Sequence, residues 1–182
     1  MILPLVKIGA SRLRQKCRAV PAAQFNSARL RKILKDMKQT MYRTNGVGLA
    51  ANQVNHGLSV LVMESRDNRR YPTACAFPLQ FYLNAKIISV SKKMEKDWEG
   101  CLSIPGYRGL VPRHHSLTFT ALTPEGKRIQ KTVHGFEARV IQHEIDHLNG
   151  FFYVDRMPNL REWFHLDHFE ARLRQKTRES KR

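Results

Sequence analysis

His143-Glu144-Ile145-Asp146-His147 has the form H-E-x-x-H. On a helix, residues four apart share nearly one face, with about 5–6 Å between their Cβ atoms. Two imidazoles so placed can grip one metal ion while Glu144, between them, reaches a water that the ion activates. A hydrolytic site of this kind takes three protein ligands and leaves one position for water. Downstream, Gly150 to Asp155 holds no His and a single acid, Asp155, so the third ligand comes from elsewhere. Cys101 is the attractive source: it lies in Trp98-Glu99-Gly100-Cys101-Leu102-Ser103, where Gly100 lets the backbone approach closely and a thiolate would bind a divalent ion well. A small buried core thiol is the other account of Cys101.

The stretch Gly46-Val47-Gly48-Leu49-Ala50-Ala51-Asn52-Gln53 also matches G-x-G-x-x-A, with Glu64 near the distance of a ribose-binding acid. A dinucleotide turn must follow a strand and open a helix. Here a helix comes first and a strand follows soon after, so the stretch reads as a Gly-rich bend offering backbone N–H groups and the Gln53 amide to a ligand.

The elements that must carry these residues follow from periodicity. Leu30, Ile33, Leu34, Met37 and Met41 recur at three- and four-residue spacing between Asn26-Ser27 and Asn45-Gly46, which predicts one amphipathic helix. Leu58 to Met63 and Phe81 to Val90 are β-rich, and Ser116 to Thr123 alternates. Pro124-Glu125-Gly126 then turns the chain into Lys127 to Val133 as a hairpin. A second helix, Phe136 to Leu148, buries Val140, Ile141, Ile145 and Leu148 and stops at Asn149-Gly150. A third is expected from near Pro158, with Leu160, Trp163, Phe164, Leu166, Phe169 and Leu173 as its apolar side. No repeat or linker divides the chain, so the expectation is one α+β domain over 1–173. The basic tail from Arg174 to Arg182 has no apolar anchor and is expected to be disordered.

The 182 residues are 42% hydrophobic, enough for a single core and too apolar for a disordered protein. With 32 Lys and Arg against 15 Asp and Glu, the net charge of +17 suits an anionic surface or partner. Three cysteines, Cys17, Cys75 and Cys101, form no C-x-x-C pair and are odd in number; a reducing compartment and no disulfide are expected. No apolar run approaches the roughly 20 residues that span a bilayer. His165 and His168 with Asp167 read as helix surface rather than a second metal site.

Three motifs stand in one order: Gly46-x-Gly48-x-Ala50-Ala51-x-Gln53, then Glu99-Gly100-Cys101-x-Ser103, then Gln142-His143-Glu144-x-Asp146-His147-Leu148-x-Gly150. The trio resembles the peptide deformylase family, and the likeness runs from about Leu5 to Met157. The resemblance implies a small α+β fold with antiparallel sheets around a central metal-binding helix, and removal of the formyl group from the initiator methionine of nascent polypeptides. Cys101, His143 and His147 would be the ligands of one divalent ion: Fe²⁺ physiologically, with Zn²⁺, Ni²⁺ or Co²⁺ as alternatives. Glu144 would be the general base and acid, while Gln53 and the Leu102 N–H hold the formyl oxygen. Gly48 would pair with the substrate main chain, Val47, Leu102 and Val140 would border the methionine pocket, and Arg108 would lie near the substrate entrance.

The chain departs from the family pattern at three places. Ala10-Ser11 stands for Asp-Pro, Asn84-Ala85 for Asn-Pro, and Arg139 occupies a position often aliphatic in bacterial members. Arg139 puts the shape and charge of the methionine pocket at issue. Because family-like text begins almost at Met1, a bacterial cytoplasm is expected over an organelle. The rival readings are an H-E-x-x-H peptidase, disfavoured by the missing downstream His, and a ribosome- or RNA-binding module. A ribosome contact through the basic C-terminal helix and tail would suit the work on nascent polypeptides that the resemblance implies; a solvated helix end that aids solubility is the other account.

Overall fold

A computed structural model of the chain describes residues 1–66 and 75–179. Helix α1 (Ala28–Arg43) is followed by strands β1 (Gly48–Ala50), β2 (Val60–Ser65), β3 (Phe77–Val90), β4 (Met94–Cys101), β5 (Ile104–His114), β6 (Ser116–Leu122) and β7 (Arg128–His134). Helix α2 (Gly135–Leu148), a short strand β8 (Trp163–His165) and helix α3 (Leu166–Glu179) complete the order. One sheet runs β1-β2-β3-β6-β7 and the other β4-β5-β8, and all of their pairings are antiparallel.

Strand β2 is buried along its whole length, because helices cover both sides of its sheet. Side chains alternate across a strand, so Val60 and Val62 join Leu30, Ile33, Met37 and Met41 of α1 in one cluster. Leu61 and Met63 meet Ala138, Ile141, Ile145 and Leu148 of α2 in another. Helix α1 starts where Ser27 Oγ accepts from Leu30 N at 3.1 Å, an N-cap worth about 1 kcal/mol. A third cluster of Leu13, Cys101, Ile104, Val111, Phe152 and Tyr153 lies under the smaller sheet. Helix α2 touches β1, β2 and β7 of the large sheet and β5 of the small one, so its HExxH face meets β4 and β5 across the gap. At its end Gly150 has φ +83°, and a Cβ there would stand 2.4 Å from the Arg14 carbonyl oxygen.

Five elements differ from the sequence expectation. Trp163 to His165 form strand β8, which pairs Tyr107–Gly109 of β5, and α3 begins only at Leu166; the expected helix from Pro158 is corrected. The apolar residues there are mostly aromatic and pack across strands: Tyr107 stacks on Trp163 at 4.3 Å between ring centroids. Strands β4 and β5 escape a periodicity reading because they are rich in charge and glycine, as in Glu95-Lys96-Asp97 and Gly106-Tyr107-Arg108-Gly109. The Gly-rich stretch includes edge strand β1, paired to β2, rather than a bend alone. Helix α3 continues past Leu173 to Glu179, through most of the stretch expected to be a disordered tail; 180–182 lie outside the described residues. Among the described residues no helix is long and apolar enough to cross a membrane.

Candidate active site

Cys101 ends β4, while His143 and His147 project from α2 one turn apart. Cys101 Sγ lies 3.1 Å from His147 Nε2, which lies 3.2 Å from His143 Nε2, and the three donor atoms fall within 4.8 Å of one another. No other such His/Cys/Asp/Glu group occurs among the described residues, so His165, Asp167 and His168 form no second site there.

The donor set fits a metal ion. Glu99 Oε2 accepts from His143 Nδ1 at 2.8 Å, which leaves the lone pair on Nε2, aimed at the thiol and the second imidazole. Asn52 Nδ2 donates to the His147 carbonyl at 2.6 Å and holds that end of α2. A soft thiolate with two imidazoles suits Fe²⁺, Co²⁺, Ni²⁺ or Zn²⁺ far better than an oxygen-seeking ion. Burial opposes charge on Cys101, but His147 and His143 outweigh it and hold the thiol well below its usual range. His143 is in turn held well above its usual value, against burial, by Cys101 and Glu99, and would give up its Nε2 proton on ligating an ion, since metal binding releases protons from its ligands.

Glu99 itself is buried, yet its carboxyl stays well below the carboxylate range because Arg113 and His143 face it. Arg113 donates to Glu99 from Nε at 2.9 Å and Nη2 at 3.0 Å, and to Asp146 from Nη1 at 2.5 Å. Arg139 Nη1 also donates to Glu99 Oε1 at 2.8 Å, and Arg156 closes on Asp146 at 2.6 Å. A charged lattice therefore ties β4 and β5 to α2 directly behind the histidines.

Glu144 sits between the two histidines with Oε2 buried and without a hydrogen-bond partner. Burial pushes its carboxyl up to about 7, although His143 and His147 pull the other way. Gly48 is what makes room for it: a Cβ there would stand 2.3 Å from Glu144 Oε1. Gln53 is fixed by accepting from Ala50 N at 2.9 Å, so its Nε2 faces inward, 3.4 Å from Cys101 Sγ and 3.2 Å from Ser103 Oγ.

A pocket of about 30 Å³ opens beside these groups, lined by Gly46, Val47, Gly48, Gln53, Glu99, Gly100, Leu102, Phe136, Arg139, Val140, His143 and Glu144. Of the residues expected from sequence, Val47, Gly48, Gln53, Leu102, Val140, His143 and Glu144 meet here, with Cys101 and His147 adjoining. Arg108 does not line it. That buried residue borders a neighbouring groove with Lys7, Leu102, Tyr107 and Phe169. Arg113, Asp146, Arg156 and Asn52 were not legible as site residues; the available signal was an arginine directly after the apolar run Leu110-Val111-Pro112 in β5.

The polypeptide deformylase family profile matches residues 2–163. The chain is 44% identical over 167 residues to peptide deformylase 1 of Nitrosomonas europaea, covering 92% of this chain and 94% of that protein. Peptide deformylase 2 of Pseudomonas syringae pv. tomato is 40% identical over 92% of this chain and 93% of its own. Among solved structures, the Met-Ala-Ser-bound class I type b peptide deformylase from Acinetobacter baumannii superposes with a TM-score of 0.85 at 38% identity, over 86% of this chain and 99% of that one. The actinonin-bound enzyme from Synechococcus elongatus gives 0.78 at 34% identity, over 88% of this chain and 81% of that one.

Proposed function

The chain belongs to the polypeptide deformylase family, a metal-dependent hydrolase that removes the N-terminal formyl group from nascent polypeptides, and from that premise we propose which of its residues perform the reaction. Cys101, His143 and His147 hold one divalent ion, Fe²⁺ in the cell, with Zn²⁺, Ni²⁺ or Co²⁺ able to replace it in the same donor set. The observation that carries the assignment is the convergence of three donor atoms within 4.8 Å beside a buried carboxyl without a partner. An ion held there lowers the pKa of water from about 16 towards 7 and so supplies a nucleophile at neutral pH.

The remaining work falls to the chain. Glu144 accepts a proton from the attacking water and returns it to the departing amine nitrogen. Gln53 Nε2, held by its bond to Ala50 N, and the backbone N–H of Leu102 donate to the formyl oxygen as it gains charge; one such donor is worth about 3–4 kcal/mol. The first side chain enters the pocket bordered by Val47, Leu102 and Val140, and edge strand β1 at Gly48 pairs with the peptide main chain. The Acinetobacter relative binds Met-Ala-Ser, the form such a substrate takes once its formyl group is gone. Arg108 acts from the adjoining groove on residues further along the peptide. Residues 1–173 are the catalytic unit.

Formate release from formyl-Met-Ala-Ser by anaerobically purified, metal-assayed protein tests this reading. The wild type should release formate while Glu144→Gln keeps its metal and does not. A folded, metal-loaded wild type that releases none would overturn it. The relatives are bacterial and the substrate is a nascent chain, so we place the protein in the bacterial cytoplasm, with its basic C-terminal helix against the ribosome.

A further inference from the structure

Arg139 lines two spaces at once. Its side chain borders the pocket beside Glu144 and also a second cavity of about 280 Å³ between β4, β5 and the start of α2. Phe136, one turn earlier on α2, is the other side chain common to both. The two residues are thus the partition between a pocket of about 30 Å³ and a larger void that runs outward to exposed Lys96 and Asp97.

The partition is stiff. Arg139 is 6% exposed, and its guanidinium donates to Glu99 Oε1 at 2.8 Å, the Val111 carbonyl at 2.9 Å and the Glu95 carbonyl at 2.7 Å. An aliphatic side chain at this place could yield by changing rotamer, as flexible core residues do. Arg139 cannot swing aside without stranding a buried charge and two carbonyl groups, which is strongly unfavourable.

We propose that Arg139, backed by Phe136, is a specificity-determining end wall: it stops the first side chain of the substrate at a fixed depth and rejects unbranched chains longer than methionine. The inference rests on the reading above, in which this pocket receives that side chain. Shortening either residue joins the pocket to the second cavity, and a longer chain then finds room where it formerly met a wall.

A length series separates this from a purely structural role. Formylated tripeptides of the form X-Ala-Ser carry norleucine, 2-aminooctanoic acid or 2-aminodecanoic acid at X, and kcat/KM is measured for metal-loaded wild type, Arg139→Ala and Phe136→Ala. The wild type should lose at least tenfold from norleucine to 2-aminodecanoic acid, and both variants should hold that ratio within about threefold or invert it. The ratio cancels any common loss that Arg139→Ala causes through Glu99. Phe136→Ala, which removes no charge, decides the matter if Arg139→Ala does not fold. An unchanged length dependence in a folded variant, or a wild type indifferent to length, overturns the wall. The same series without the formyl group, read by calorimetry, asks the question without turnover. Formate release from none of the peptides would therefore overturn the functional reading, while the affinities still judge the wall.

Discussion

Gly48 and Glu144 share a space that holds one side chain, since a Cβ on Gly48 would lie 2.3 Å from Glu144 Oε1. Gly48→Ala should displace the carboxyl by about an ångström and lower kcat roughly 10²-fold, with metal content unchanged by elemental analysis of the purified variant. The three cysteines should differ in reactivity. Burial pushes the Cys17 thiol up to about 11, against the pull of Arg12, so about one molecule in a thousand carries a thiolate there at pH 8. Cys75 is exposed. A disulfide reagent added to the folded, metal-loaded protein at pH 8 should find Cys75 quickly and Cys17 only on unfolding; fast labelling of Cys17 would refute its burial. At this scale the spacing of His143 and His147 was legible because helical geometry is local. Cys101 as their partner was left open by its own surroundings, since a lone Cys in a strand looks the same whether it packs or ligates.

Helix α2 is held against β4 and β5 by groups that have no freedom to be unpaired. Arg113 joins Glu99 and Asp146, with all three buried. Arg113→Ala removes the buried arginine that Glu99 and Asp146 share, leaving Arg139 on Glu99 and Arg156 on Asp146, and a cost of about 3 kcal/mol is expected, to be read by urea denaturation and accompanied by easier loss of the metal to chelators. The turn after α2 offers a second, pH-dependent test. Asp155 accepts from Phe152 N at 2.7 Å and pairs with Arg14. Burial opposes its ionisation, but Arg14 and the Phe152 N–H hold its carboxyl below the usual range. A carboxyl depressed on folding contributes stability above its unfolded pKa of about 4 and loses it as the pH falls through the folded value. Asp155→Ala should therefore destabilise the protein by about 1 kcal/mol at pH 7, mostly through the lost cap, and the gap to wild type should narrow below pH 4. Equal gaps at pH 7 and pH 3 would refute the linkage. Amphipathic α1 and the β6–β7 hairpin were readable because their signals lie within a few residues. Strands β4, β5 and β8 were not, because their stability comes from partners that the local pattern does not show.

For the molecule as a whole, the net charge of +17 makes association with a polyanion sensitive to salt. Deleting 174–182 should weaken co-sedimentation with ribosomes and reduce its salt dependence while formate release from a free tripeptide stays within about twofold; unchanged binding would end the proposed contact. The α+β class was determined by the sequence through its periodicities, and the family, with the antiparallel architecture around a metal-binding helix that it implies, through three motifs whose order chance does not deliver. What only the tertiary structure decided is which distant residues meet. It brought Glu99, Arg113 and Asp146 together behind the histidines, turned Gln53 Nε2 inward, set Arg108 in the groove beside the pocket, and placed Arg139 between two cavities. Local periodicity encodes which face of an element is buried, but the neighbour across that face is chosen by packing over the whole chain, as with His143 and Glu99, separated by 44 residues and joined by one hydrogen bond.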